Sequence, residues 1–183
     1  MKYFPLIVNK ERLLSPDYIP DELAEPAIPF SAPPGDERRL MEKTAAKAAV
    51  RLFTQAALNQ MGLVGVSGYR SYDRQKKLYE DAQKRKSSAV APPGASEHQT
   101  GLALDVSCPA VNLELEKEFE ATKEGKWLAR HAPLYGFIIR YPRNKEKITG
   151  FPYEPWHIRY VGEALSLYLS LTGMTLEEYH ELE

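Results

Sequence analysis

Pro93-Gly94-Ala95-Ser96-Glu97-His98-Gln99-Thr100-Gly101-Leu102-Ala103-Leu104-Asp105-Val106 is the stretch on which the reading of this chain turns. It opens with a proline–glycine turn. It then alternates, with Leu102, Leu104 and Val106 on one face of a short strand and Ala103 and Asp105 on the other. Asp105 is an acid inside an otherwise apolar strand. An unpaired buried carboxylate is costly, so the strand calls for a partner. His98 lies just upstream, at the far side of the turn.

On the N-terminal side, a helix is predicted over Glu37–Gln60 with Asp36 as N-cap, because Met41, Ala45, Ala49, Leu52 and Ala56 recur on one face. Gly62 or Gly65 breaks it. Leu63–Ser67 then reads as a strand, and Ser71 caps a second helix over Tyr72–Gln83. Residues 1–35 form a proline-rich lead-in, with Leu6–Val8 as a short edge strand. On the C-terminal side, Pro109–Gly125 reads as a charged surface excursion carrying a short helix. Helix follows over Lys126–His131, Gly136 stops it, and strands cover Phe137–Arg140 and Trp156–Arg159, with a loop or hairpin over Lys145–Tyr153 between them. A helix near Glu163–Leu171 ends at Gly173. Thr175 and Glu178 fit a capping box for a last helix, Leu176–Leu182. Helices first and last with short strands between predict one α+β domain over residues 1–183, a small, mainly antiparallel sheet flanked by helices.

Composition agrees with a packed domain: of 183 residues, 43% are hydrophobic and 27% charged. Lys+Arg total 24 against Asp+Glu 25, a balance that argues against nucleic acid or an anionic membrane as partner. The basic run Lys84-Arg85-Lys86 is too short to change this and reads as solvated surface. The lone cysteine, Cys108, excludes an internal disulfide and reads as a small buried residue, not a nucleophile. No stretch approaches a membrane span. No signal peptide is evident, which reads as a cytoplasmic protein, or as a piece of an exported or membrane-anchored one.

Two of the four histidines sit in unusual surroundings. His98 precedes the strand of Asp105, and His157 lies in Glu154-Pro155-Trp156-His157-Ile158-Arg159, where a bend at Pro155 can turn Glu154 and His157 into one cleft. Two imidazoles and a carboxylate make a common catalytic zinc set, with Glu154 as a base beside it. The residues alone leave plainer alternatives open: a buried hydrogen bond between His98 and Asp105, a satisfied core histidine at 157, and a solvated carboxylate at 154. His131 and His180 lack such neighbours and read as surface or helix-end residues. Arg70 suits a substrate carboxylate or an oxyanion, against the alternative of a structural salt bridge. Gln75 and Ser96 are candidates for the same cleft, against solvated helix and turn positions.

Three motifs occur in order: Ser67-Gly68-Tyr69-Arg70-Ser71-Tyr72, the quoted stretch Pro93–Val106, and Glu154-Pro155-Trp156-His157-Ile158-Arg159-Tyr160-Val161-Gly162. Together they resemble the signatures of the VanY-type D-alanyl-D-alanine carboxypeptidase family. Its wider superfamily takes in VanX-type dipeptidases and the signalling domain of hedgehog proteins. The tail Met174–His180 resembles the dual dipeptidase/carboxypeptidases of the VanXY kind. The stretch between Tyr79 and Pro92 is short beside many VanY-like enzymes, in which a longer loop helps form the substrate cleft.

The resemblance implies zinc held by His98, Asp105 and His157, Glu154 as catalytic base, Arg70 as oxyanion stabiliser, and Gln75 and Ser96 as substrate-binding residues. Water would attack directly, without an acyl-enzyme. The implied substrate is a peptidoglycan stem peptide or a D-alanyl-D-alanine-ended precursor, from which a D,D-carboxypeptidase removes the last D-alanine. The same resemblance allows a D-alanyl-D-alanine dipeptidase or dual enzyme, an L,D-carboxypeptidase acting on tetrapeptide stems, and a non-catalytic zinc-containing binding module.

Overall fold

The computed structural model describes Phe4, residues 6–85 and residues 90–182. In chain order its elements are β1 (Leu23–Ala24), β2 (Met41–Glu42), α1 (Lys43–Leu58), β3 (Val64–Ser67), α2 (Tyr72–Lys84), β4 (Ala103–Ser107), α3 (Lys123–His131), β5 (Phe137–Tyr141), α4 (Glu146–Thr149), β6 (Glu154–Tyr160), α5 (Glu163–Thr172) and α6 (Leu176–His180), with 3-10 turns between. Four strands form one antiparallel sheet in the order β3-β4-β6-β5. The lead-in contributes β1, which pairs with β2 as a separate two-stranded ribbon. This is the α+β architecture expected.

The centre of the sheet positions the chemistry. Every residue of β4 is buried. Leu104 and Val106 pack with Ala45, Ala49 and Leu52 of α1, whose small residues allow close approach. Asp105 consequently points from the opposite face of β4. Its register partner on β6 is His157, so one strand pair delivers two of the candidate ligands side by side. A second cluster of Ile7, Ile138, Val161, Leu169 and Leu176 ties the lead-in, α5 and α6 to the sheet.

Several boundaries differ from the sequence expectations for local reasons. The first helix starts at Lys43, not Glu37. Asp36 caps only a 3-10 turn over Glu37–Arg39, and Met41 is extended because it pairs with Ala24. The carboxylate of Glu42 caps α1 by accepting from the amides of Thr44 and Ala45. Leu6–Val8 form no strand. The carbonyl of Leu6 is taken instead by the Arg159 guanidinium, 2.7 Å away. Gly125 lies inside α3, which begins at Lys123 with Thr122 as cap. The segment before α3 is not purely surface, since Val111 and Phe119 are buried. The connection between β5 and β6 carries the short helix α4, and β6 starts at Glu154, two residues earlier than expected. The capping box of Thr175 and Glu178 is present in both directions, although α6 ends at His180. Of the basic run, Lys84 pairs with Asp81; Lys86 lies outside the described residues, as does part of the short stretch before Pro92. Among the described residues no helix is long and apolar enough to cross a membrane.

Gly68 shows why its motif needs a glycine. Its amide donates to the Arg38 carbonyl, 2.6 Å away, and the next amide, of Tyr69, donates to Leu40 at the same distance. A β-carbon at position 68 would lie 2.3 Å from the Leu40 carbonyl oxygen. Backbone must move to admit it, so Gly68→Ala should lower stability by about 1–3 kcal/mol, the range for overpacking. Urea denaturation checks this: the midpoint should fall with an unchanged slope, and an unchanged midpoint would show that the close approach is not a constraint.

Candidate metal centre

His98, Asp105 and His157 converge, each buried, with one potential ligand atom apiece, and all three atoms lie within 4.8 Å of one another. The two oxygens of Asp105 divide the work: Oδ2 is 3.2 Å from Nε2 of His98, and Oδ1 is 3.1 Å from Nδ1 of His157. The imidazoles meet edge to face, with centroids 5.0 Å apart. His98 comes from the 3-10 turn Glu97–Thr100, which ends at Gly101 in the left-handed region at φ +68. A β-carbon at Gly101 would lie 2.7 Å from the Glu42 amide nitrogen, so the turn is fixed against the start of α1.

The hydrogen-bond donors identify what this cluster suits. Nδ1 of His98 lies 2.7 Å from the carbonyl oxygen of Gly68. A carbonyl only accepts, so Nδ1 carries the proton and a neutral ring turns the Nε2 lone pair toward Asp105. Nδ1 of His157 faces the same carboxylate. An aspartate between two ring nitrogens needs a proton or a cation to bind them together. Two neutral imidazoles and a carboxylate are a donor set zinc takes readily. On this observation the residues fit a zinc ion.

Glu154 reaches the cluster because of an irregularity in the sheet. Residues three apart in a regular strand point to opposite faces. Here Ile158 pairs with Ile139 and Glu154 with Tyr141, so β6 holds two extra residues over that interval. Pro155, which has no amide to donate, lies within the bulge. The result brings Oε2 of Glu154 to 3.7 Å from Nδ1 of His157. The sequence expectation of a bend at Pro155 corresponds to this bulge inside the strand.

These groups open onto a cleft of about 310 Å³, lined among others by Arg70, Gln75, Ser96, Trp156 and Glu154. A groove of about 570 Å³ between the lead-in, α4 and α6 is larger, but the charges around it are mixed and it holds none of the candidate ligands. Arg70 is mostly buried, and its Nη2 is 3.9 Å from Oδ2 of Asp105. Its Nη1 donates to Oε1 of Gln75 at 3.0 Å and its Nη2 to Oγ of Ser67 at 3.1 Å. Gln75 is buried, and its Nε2 donates to the Ala91 carbonyl. Its carboxamide is thus engaged at both ends, which suits it to holding Arg70 in place. Ser96 lines the cleft, and its hydroxyl makes no capping bond to its turn. Cys108 is fully buried and does not line the cleft. His131, at the end of α3, stacks on Trp127 at 4.2 Å, away from the cluster. Ser67 and Glu97 are not singled out by the sequence: each lies within a motif, but a serine at a strand end and a charged turn residue beside a histidine carry no signal of their own.

Without a metal the cluster has a definite acid–base character. Burial alone would lower the His157 pKa, but the Asp105 and Glu97 carboxylates outweigh it and push it up to about 9 from its ordinary 6.5. Burial pushes Glu154 up to about 7 from 4.5, with His157 opposing. Burial would raise Asp105, yet His98 and His157 hold it well below the carboxylate range. His157 and Glu154 both bind protons more tightly folded than unfolded, so each adds stability at low pH that is lost as pH rises through its folded value. Asp105 has the opposite sign and matters only in acid. His98, whose pKa burial lowers from 6.5, also has the opposite sign and ceases to matter above about pH 7.5. Chelator-treated protein should therefore melt at a lower temperature at pH 9 than at about pH 7.5. Zinc-loaded protein should lose this dependence, since the cation replaces the His157 proton. Thermal melts across that window check the sign, and a melting temperature that rises with pH in the chelated protein would contradict it.

Comparison with known proteins agrees with this geometry. The family model described as D-alanyl-D-alanine carboxypeptidase, VanY, matches residues 38–163. The Bacillus subtilis (strain 168) protein YodJ is 44% identical over 96% of this chain, which spans 66% of YodJ's length. Among solved structures, the LdcB LD-carboxypeptidase is 45% identical with a TM-score of 0.92, over 96% of this chain and 84% of its own. A variant of the D,D-pentapeptidase VanY from the VanB-type vancomycin resistance cassette, solved with Zn(II), is 27% identical with a TM-score of 0.78, over 98% and 99%. The site cradled by β4 and β6 falls within the matched residues, and the chain belongs to the VanY D-alanyl-D-alanine carboxypeptidase family.

Proposed function

We propose that this chain is a zinc-dependent carboxypeptidase that releases a C-terminal D-alanine from peptidoglycan stem peptides, with His98, Asp105 and His157 as the ligands. The observation that carries the reading is the convergence of those three side chains with Glu154 and Arg70 at the floor of one cleft. Zinc held there supplies Lewis acidity, polarising the scissile carbonyl and acidifying the attacking water. Glu154 takes the water proton through Oε2 and returns it to the amine of the departing D-alanine. Burial raises the proton affinity of this carboxylate, which favours the uptake step. Arg70 presents a fixed positive charge to the carbonyl oxygen as negative charge develops there. Gln75 and Ser67 hold the guanidinium, so no reorganisation is needed during the reaction. Ser96, which lines the same cleft, is the candidate to hydrogen-bond substrate. Water is the nucleophile, and neither Ser96 nor Cys108 forms an acyl-enzyme.

The likeness to LdcB, stronger than that to VanY, supports the L,D bond at the end of a tetrapeptide stem as the preferred substrate. The family match supports a second reading, in which the D,D bond of a pentapeptide stem is cut. Mass spectrometry of products from tetrapeptide, pentapeptide and free D-alanyl-D-alanine separates these. Loss of one D-alanine from the tetrapeptide is the expected result, and turnover of the pentapeptide alone would select the second reading. No cleavage of any of the three by zinc-loaded protein would contradict both.

Two substitutions test the assigned roles. Glu154→Gln should keep zinc and fold while turnover falls by about 10²–10⁴-fold, the usual range for a general base. Near-normal turnover at full metal content would remove Glu154 from the mechanism. Arg70→Ala should lower kcat by roughly 10²–10³-fold, and Arg70→Lys should restore only part, because it keeps the charge and loses the planar fork. A rise in KM at constant kcat would instead make Arg70 a ground-state carboxylate binder.

A further inference from the structure

We infer that Glu97 is a positioning residue for His157, turning the Nδ1 lone pair of that ring into the metal site. The inference rests on the reading of His157 as a ligand. Glu97 is 1% exposed. Its Oε1 accepts from Nε of Arg140 at 2.7 Å and from Nη1 of Arg159 at 2.6 Å. Its Oε2 has no hydrogen-bond partner, and neither has Nε2 of His157, which lies 3.5 Å away. Two buried, otherwise orphaned polar atoms thus face each other on the side of the ring remote from Asp105.

The tautomer follows from their signs. A bare Nε2 lone pair pointed at a buried carboxylate oxygen is repelled, whereas Nε2–H is attracted. At 3.5 Å, beyond hydrogen-bond length, the coupling is electrostatic. Glu97 therefore favours the proton on Nε2 and leaves Nδ1 to face Asp105 and Glu154. It plays for His157 the part that the Gly68 carbonyl plays for His98, as outer partners of ligand histidines commonly do.

The surroundings hold this carboxylate charged and still. His157 and Arg159 are two apart on β6 and share a face, and Arg140 comes from β5 alongside. Arg140 grips both oxygens of Glu177 on α6. Arg159 also donates to the carbonyls of Phe4, Leu6 and Tyr160. Buried ion clusters of this kind are weak contributors to stability compared with apolar packing. What this cluster adds is a fixed negative oxygen behind one ring nitrogen of a candidate ligand.

Zinc affinity measured by competition with a chromophoric chelator tests the inference on the full chain. Glu97→Gln should weaken zinc binding by about 10–100-fold, the usual cost of losing an outer partner. Glu177→Gln, which disturbs the cluster without touching His157, should lower the melting temperature and leave zinc affinity unchanged. Glu97→Asp, which keeps the charge, should recover part of the affinity. Should Glu97→Gln not fold, long-range 1H–15N spectra of the zinc-loaded wild type give the answer directly. They should show Nε2 of His157 protonated and Nδ1 metal-shifted; Nε2 bound to zinc would overturn the inference. So would equal affinities of folded Glu97→Gln and wild type. A wild type that takes up no zinc would overturn the metal reading itself.

Discussion

Asp105 is the residue around which the rest is arranged. A carboxylate buried in the central strand of the sheet, 3.2 and 3.1 Å from two imidazole nitrogens, is stable only with positive charge among them. A proton meets that need in the metal-free protein, and the three donors suit a zinc ion that would meet it in the loaded one. Much of the local structure serves this requirement. The strand pairing sets His157 opposite Asp105. The Gly68 carbonyl orients His98. The tight packing of Gly68 against residues 38–40 holds that carbonyl in turn.

The same constraint links the fold's periphery to its centre. The carbonyls of the lead-in and the carboxylate of α6 converge on Arg159 and Arg140, which meet at Glu97 behind His157. The lead-in and α6 therefore reach Glu97 through these two arginines, beside their apolar packing on the sheet. On the cleft side, the bulge in β6 supplies Glu154, and the Ser67–Gln75 clamp supplies Arg70. One ligand each from the paired strands β4 and β6, a base from β6 as well, and an arginine and the third ligand from the turns flanking β3 and β4 give a cleft in which charge is fixed before substrate arrives.

Much of this was legible in the sequence. The alternation around Asp105 exposed an acid in a core strand, and the glycine and capping signals marked the ends of α2, α5 and α6 close to their observed positions. The residues alone offer the ligand set but leave a buried hydrogen bond open beside it, and the resemblance decides between them, because periodicity makes the two look alike. What could not be read has a physical reason in each case. The start of α1 was misplaced because Met41 has helical spacing yet pairs with β1, a tertiary choice. Glu154 reaches His157 from within the strand because of a bulge, which has no local sequence code beyond Pro155. Glu97 gives no signal of burial, since the arginines that neutralise it lie more than forty residues away.

Anomalous diffraction at the zinc edge, on crystals of protein loaded with zinc and never exposed to chelator, tests the central claim most directly. The account predicts one peak enclosed by Nε2 of His98, Nδ1 of His157 and a carboxylate oxygen of Asp105, at ligand distances of about 2.0–2.2 Å, with Glu154 beside it and outside the coordination shell. A peak bound elsewhere, or no peak at this site in zinc-replete crystals, would contradict it.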